Sequence, residues 1–353
     1  TLTVAGSGDT GDQSVGCSAN AGRVPICALR ENQRPGLQLL NGMVYIAWAS
    51  HGDNTPYHGW VIGYHASNLS QAPVLFNTTP GGGLGGIWQS GTGPAADLDG
   101  NIYVITGNGD FDPGTTPPNY GDSFLKLGTA SGLSVLDSFT PSNEALLNSN
   151  DWDVGSGGAV VLPDSAGSTA HQQLLIGGDK VGVLYLIDRN NMTGFNGNDQ
   201  IVQEVTVLSC TSGCLDKGIF STPAYWQGNL YVVAIGDKLK KYAIANAHIT
   251  EPPVTAGDTF GHPGASPAVS SSGATNGVVW AVNSHANGTG NGGASAPAVL
   301  FAYDAGTLTK LFSSPASGTA AAGNAVKFAV PTVANGKVYL GTQTELSVFG
   351  LLP

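Results

Sequence analysis

The stretch Val330-Pro331-Thr332-Val333-Ala334-Asn335-Gly336-Lys337-Val338-Tyr339-Leu340-Gly341 decides the fold. It predicts a strand, a two-residue turn and a second strand running back. Asn and Gly tolerate the positive φ of the tight turns whose twist suits a hairpin. The same pattern recurs at Thr222-Pro223-Ala224-Tyr225-Trp226-Gln227-Gly228-Asn229-Leu230-Tyr231. Looser copies run from Pro35 through Asn41-Gly42 to Tyr45, from Pro94 through Asp99-Gly100 to Tyr103, and from Pro267 through Asn276-Gly277 to Trp280. A degenerate copy joins Gly157-Gly158-Ala159-Val160-Val161 to Leu174-Leu175-Ile176 across a longer loop.

Working outward, each hairpin is followed by a third apolar segment: Trp60–Tyr64, Ser123–Leu127, Val183–Ile187, Leu239–Tyr242, Val299–Tyr303 and Leu346–Phe349. Fourth segments follow at Val74–Phe76, Val135–Phe139, Val202–Val205 and Lys310–Phe312, with the one after Tyr242 the least clear. Four copies carry Gly-Asp after the second strand, at Gly52-Asp53, Gly109-Asp110, Gly178-Asp179 and Gly236-Asp237. Tandem four-stranded antiparallel units predict an all-β chain, a β-propeller of six blades, because each sheet has two apolar faces that only neighbouring sheets can cover. The last copy ends before a fourth strand, and Thr1–Val4 is a lone strand at the other terminus, so pairing the two is the expected ring closure. By this reading residues 1–34 form an N-terminal strand and disulfide loop, and residues 35–353 form the blades. One short helix is expected, at Ser142–Leu147.

Composition agrees. Of 353 residues 52 are Gly, and only 10% are charged, against an ordinary ~25%. That excludes a coiled coil and disfavours helical bundles. Hydrophobic content of 41% is enough for a core, which argues against disorder. Thirteen dispersed Lys and Arg in a chain of net charge −11 cannot form a phosphate-binding stripe, so no nucleic-acid partner is expected. No apolar run is long enough to span a membrane. The four cysteines fall in two local pairs, Cys17/Cys27 and Cys210/Cys214, without zinc-ligand spacing; disulfides over short loops and a secreted, extracellular or periplasmic location follow as expectations. Three G-x-G-x-x-G matches are not followed by helical patterns, as a nucleotide site requires.

The units from Pro223 and Pro331, with Pro-x-Val-x-Asn-Gly-x-Val-Tyr-x-Gly and then an apolar strand, resemble the repeat of the pyrroloquinoline-quinone (PQQ) propeller superfamily, the quinoprotein alcohol dehydrogenase-like fold. The resemblance covers residues 35–353, and the whole chain resembles large secreted bacterial propeller proteins of this kind without an established reaction. Their additional N-terminal blades imply an eight-bladed ring of which this chain supplies the last six. Members that use the quinone stack it between a Trp and a ring made by two adjacent cysteines, with calcium held by Glu, Asn and Asp. This chain has no adjacent cysteines, and its fourth strands lack the family's docking Trp. PQQ is therefore not expected as a cofactor; no cofactor is expected, and calcium remains an option.

In a propeller, the residues just before each blade's first strand rim the central funnel. Alignment of the copies places there Arg30, Glu31 and Arg34, then Trp88 and Gln89, Asp151 and Asp153, Lys217, His262 and Lys327. Unlike charges converging in a concave mouth suit a polar or anionic ligand gripped by Arg and Lys. The same convergence also reads as a self-neutralising plug. A second cluster, His51-Gly52-Asp53-Asn54-Thr55-Pro56-Tyr57-His58, with Tyr64 beyond, has the groups for proton abstraction and leaving-group protonation, as a polysaccharide lyase needs. His51, Asp53 and His58 also have the chemistry of a metal site, or of a polar loop bonded to nearby backbone. Asp97, Asp99, Asp110 and Asp112 imitate part of a calcium loop, though Asp99-Gly100 falls at a hairpin turn.

These readings make the chain a binding or interaction module for a polar small molecule or glycan, without redox activity. The rivals are a funnel-sited enzyme, lyase-like or a divergent PQQ-dependent dehydrogenase, and a structural protein that assembles with other extracellular proteins.

Overall fold

The computed structural model describes residues 2–8, 22–208 and 218–350. They form two compact units: the first is Thr1–Val161 with Arg189–Ile201, the second Leu162–Asp188 with Val202–Pro353. Both are built from antiparallel β-sheets. The chain's one α-helix among the described residues is the six-residue Glu144–Ser149, at the position expected from sequence.

In the first unit, the first sheet contains Met43–Ser50, Trp60–His65 and Val74–Asn77. Its leading edge is split: Gln38–Leu40 pairs the start of Met43–Ser50, and Glu31–Asn32 pairs its end, Glu31 opposite Ser50. Glu31–Asn32 thus already belongs to the first sheet, ahead of the boundary expected at residue 34. The second sheet orders Ala95–Ala96, Ile102–Ile105, Phe124–Gly128 and Ser134–Phe139. Tyr45, Ala47 and Val61 of the first sheet pack on Ile102, Val104, Leu125 and Leu127 of the second. The opposite face, Trp48, Trp60 and Ile62, is covered by a hairpin of Thr3–Ala5 and Arg23–Pro25. Thr3–Ala5 takes ladder hydrogen bonds from Arg23–Pro25 along one of its two edges.

In the second unit, Leu174–Gly178, Val183–Asp188 and Gln203–Thr206 form a ladder. The next sheet is Ala224–Trp226, Asn229–Val232, Asp237–Ala245 and His248–Phe260. The indistinct fourth strand proves to be the longest among the described residues, at 13 residues. Pro252 and Pro253 hid it from a propensity reading, yet on an outer edge a missing N–H is tolerated. Ala268–Ser272, Thr275–Asn283, Val299–Asp304 and Lys310–Ser313 follow, then Thr332–Ala334, Lys337–Gly341 and Leu346–Gly350, three strands among the described residues. Strand Thr275–Asn283 shows why both faces are apolar. Its Val279 and Ala281 pack on Tyr231 and Val233 of the sheet before, while Trp280 and Val282 pack on Val338 and Leu340 of the sheet after.

The turns follow the sequence at Asn335-Gly336, Gln227-Gly228 and Asn41-Gly42, where both residues have positive φ. The copy at Pro267 differs. Ser272 pairs Thr275, so its turn is Gly273-Ala274, with Gly273 at φ 61°, and Asn276-Gly277 lies inside the strand.

Candidate functional site

Within the first unit, five loops between regular elements bring Arg34, Asp53, Tyr57, Trp88, Asn108, Asp151 and Asp153 together. Arg34 follows Glu31–Asn32 and reaches the loop leading into the second sheet. Its Nε donates to the Trp88 carbonyl at 3.0 Å, and its guanidinium lies 4.9 Å from the Trp88 ring centroid. Burial pushes the Arg34 pKa down to about 10 against the pull of Asp153 and then Asp53, so it stays charged at neutral pH. Tyr57 meets Trp88 edge-on at 6.1 Å and donates its hydroxyl to Asp53 Oδ1 at 3.0 Å. Burial first, then the charges of Asp53 and Asp153, raise the Tyr57 hydroxyl far above its ordinary value, which makes it a donor and no base.

Asp153 is buried and accepts the Asn108 N–H at 2.9 Å, while the Asn108 amide donates to Asp151 at 2.9 Å. Gly107 is required here: a Cβ would lie 2.1 Å from Asp153 Oδ1 and 2.8 Å from Trp88 Nε1. Asp53, Gln89 and Asp151 all have positive φ, a conformation that costs non-glycine residues energy and gathers at ligand sites. Trp88 Nε1 and Asn108 Oδ1 have no hydrogen-bond partner among the described residues.

The sequence-predicted residues thus divide. Arg34, Trp88, Asp151 and Asp153 are brought together. Gln89 is buried and donates to the Gly93 carbonyl at 3.2 Å, and Arg30 is half-buried, its carbonyl accepting the His51 N–H. Lys217 lies outside the described residues. His262 and Lys327 belong to the second unit. Glu31 is buried, its Oε1 accepting the His58 N–H at 3.3 Å, and burial pushes its carboxyl up to about 8. It is a protonated acid at neutral pH, removed from the charge balance of the site. Tyr57 and Asn108 were missed as site residues; Tyr57 sat in the quoted His51–His58 stretch, but its contact with Trp88 spans 31 positions.

The His/Tyr constellation is not assembled. His58 is buried, bonded through Nδ1 to Thr79 Oγ1 at 3.0 Å, and packed edge-on to Trp60. Tyr64 lies further along the extended chain, about 20 Å away, against the Val24 hairpin, and His51 is exposed. Two aspartates of the calcium-like loop, Asp97 and Asp110, already hold hydrogen bonds. Asp97 accepts N–H groups of Asp99 and Asn101, the Asn101 amide, the Tyr103 hydroxyl and Arg189. Asp110 accepts the Gly83 N–H, and Asp99 and Asp112 are exposed. No group of three or more His, Cys, Asp or Glu able to hold a metal ion occurs among the described residues. Cys27 is buried and no free cysteine occurs among the described residues; Cys17, Cys210 and Cys214 lie outside them.

In fold, the chain is similar to β-propeller proteins. It matches the quinohemoprotein alcohol dehydrogenase ADHIIG of Pseudomonas putida HK5 at 15% identity and a TM-score of 0.52, covering 86% of this chain and 54% of that one. The quinohemoprotein alcohol dehydrogenase of Comamonas testosteroni matches at 14% identity and a TM-score of 0.51, over 86% and 55% of the two chains. Saccharomyces cerevisiae Sqt1 matches at 12% identity and a TM-score of 0.50, over 90% and 72%. The chain spans about half the length of the two dehydrogenases, and at these identities the likeness is one of fold alone. No protein-family model matches the sequence, and no curated protein does. Among the described residues no helix is long and apolar enough to cross a membrane.

Proposed function

We propose that the chain is a secreted recognition module, its sheets the blades of a propeller, that binds a hydroxyl-rich polar ligand, a glycan, at the Arg34–Asp153 cluster of the first unit. The observation that carries this reading is the charge arithmetic of the cluster. One guanidinium, already held by Trp88, feels two carboxylates, Asp153 and Asp53, and a third, Asp151, joins the cluster through the Asn108 amide. Such a site repels anions. It suits sugar hydroxyls, which donate to carboxylates and accept from the guanidinium, the indole N–H and amides. Exposed Asp53 and Asp151 stand at its accessible edge, and buried Tyr57 and Trp88 hold the wall.

Against a quinone stand two features. The chain has no adjacent cysteines, and Trp88 already carries the Arg34 guanidinium over one face and meets Tyr57 in a T-shaped contact. The residues do not fit that cofactor. Secretion rests on the low charge and the paired cysteines.

The test is calorimetric titration with neutral oligosaccharides. Asp151→Asn and Asp53→Asn are expected to weaken binding about tenfold, the loss of one charge-assisted hydrogen bond, with unchanged unfolding midpoints. Binding that ignores both substitutions, or no neutral saccharide bound from a broad panel, would refute the assignment.

A further inference from the structure

We infer that the outer edge of strand Leu346–Gly350, in the second unit, is a docking groove for an extended peptide strand of another protein. That strand is apolar in its middle, acidic at its N-terminal end and basic at its C-terminal end. The backbone supplies the ladder. The Thr342 N–H donates to the Glu345 carbonyl at 3.0 Å, and Gly341 pairs Leu346. Counting on in twos, Ser347 and Phe349 exchange hydrogen bonds with Leu340 and Val338, so Leu346, Val348 and Gly350 turn their N–H and carbonyl groups outward. No strand among the described residues pairs that side. The edge is also unguarded. The outer strand two sheets earlier carries Glu251, Pro252 and Pro253, and the next one begins at Lys310; charge and proline are ordinary means of blunting an edge. Leu346–Gly350 has neither, and its Leu346 and Val348 are 61% and 49% exposed.

This edge lines a groove of about 1310 Å³, beyond the ~300–1,000 Å³ ordinary for a small-molecule pocket. Its roof is the fourth strand of the preceding sheet: Phe312 meets Phe349 edge-on at 6.2 Å, and Trp280 lines the same groove. That overhang admits one strand. A two-fold antiparallel pair of these edges keeps like faces on one side, which would bring a second copy's Phe312 strand into space the first already fills. Charge fixes the direction. Lys337 pairs Gly350, and a Cβ at Gly350 would lie 3.3 Å from Lys337 Cγ, so the lysine stem passes beside a residue with no side chain at the open edge. Glu345 stands at the other end and accepts the Ser347 hydroxyl at 2.9 Å; both charged residues line the groove. An antiparallel partner places its first residue opposite Gly350 and its sixth opposite Glu345. An acid at the first position and a base at the sixth then meet unlike charges. The second and fourth residues share the face of Phe349 and Ser347, under Phe312, while the third and fifth lie beside Val348 and Leu346.

The probe is acetyl-Glu-Ile-Thr-Val-Val-Lys-amide, titrated beside the same peptide with its two end residues exchanged. The parent peptide should bind wild type, the exchanged peptide about tenfold more weakly, and a Lys337→Glu/Glu345→Lys variant should reverse that preference. N-methylation of the third residue, whose N–H faces Val348, should cost about tenfold, and N-methylation of the fourth, whose N–H faces solvent, about threefold at most. No binding of the parent peptide, equal losses at the third and fourth positions, or indifference to the exchange of ends overturns the inference. Val348→Pro removes an outward N–H and breaks no bond within the sheet, so it should keep the unfolding midpoint and lose the peptide. Wild type that sediments as a dimer, with Val348→Pro a monomer, would assign the edge to a second copy and also overturn the inference. None of these changes touches the first unit's saccharide site, so the two readings stand or fall separately.

Discussion

Glu31 and Asp97 show how opposite surroundings act on the same functional group. Glu31 is buried opposite Ser50, and desolvation outweighs the His58 N–H and the Trp60 indole, raising its carboxyl from 4.5 to about 8. The unfolded chain releases this proton first, so Glu31 costs stability as pH rises from about 4.5 to 8, by at most about 1.4 kcal/mol per pH unit. Asp179, raised to about 6 by burial, has the same sign, but its effect is complete near pH 6. Between pH 6 and 8 the difference between wild type and Glu31→Gln therefore reports Glu31. Urea unfolding across that window should show stability falling with pH in wild type and a flatter profile in Glu31→Gln; parallel profiles would contradict the assignment. Asp97 goes the other way. Burial raises its carboxyl, but hydrogen bonds from Asn101 and Tyr103 and the charge of Arg189 outweigh it and hold it below the usual range. Asp97→Ala removes an acceptor shared by buried groups, including the Arg189 guanidinium at 3.2 Å, and should cost about 3 kcal/mol or more, read as a shift in the urea midpoint. Asp97 and Asp179 also share one local design: each accepts N–H groups two and four residues on and the hydroxyl of a Tyr six residues on. That spacing, Asp97 to Tyr103 and Asp179 to Tyr185, was readable in the sequence as a turn clamp.

At the scale of the element, the hairpin turns are where sequence and geometry agree most closely. Gln227 has φ 47° and Gly228 φ 71°, the pair of positive values that Asn-Gly adopts most readily. Gln227→Asn should raise the thermal midpoint, by about 0.5 kcal/mol of stability, while Gly228→Ala should lower it by about 1 kcal/mol or more. An added Cβ at Gly228 would meet its nearest atom at 3.5 Å, so the loss expected there is backbone strain and not a clash. The turn displaced to Gly273-Ala274 marks the limit of such reading. Two turn signals three residues apart compete, and register is settled by which one lets Val279 and Ala281 face Tyr231 while Trp280 and Val282 face Val338.

At the scale of the molecule, the chain is interleaved. Arg189–Ile201 leaves the ladder of Leu174–Gly178, Val183–Asp188 and Gln203–Thr206 to join the first unit. There Arg189 reaches Asp97, the Met192 N–H donates to Asp137, Gly194 exchanges hydrogen bonds with Ser138 and Thr140, and Phe195 packs edge-on against Phe111 at 5.0 Å. A fragment of residues 1–161 should accordingly be protease-sensitive, and a synthetic peptide of residues 189–201 added to it should restore protection. Equal resistance with and without the peptide would show that the segment contributes nothing to the first unit.

The all-β class, the hairpins and the order of strands were determined by the sequence alone, because turn chemistry and two-residue alternation act between neighbours a few positions apart. The tertiary structure decided the rest. It alone gave Thr3–Ala5 its pairing with Arg23–Pro25, neutralised Glu31 by burial, and surrounded Arg34 with carboxylates from Asp53 to Asp153. Charge balance and desolvation depend on what lies within a few ångströms in space, and residues separated by tens to a hundred positions meet there only after the sheets have packed.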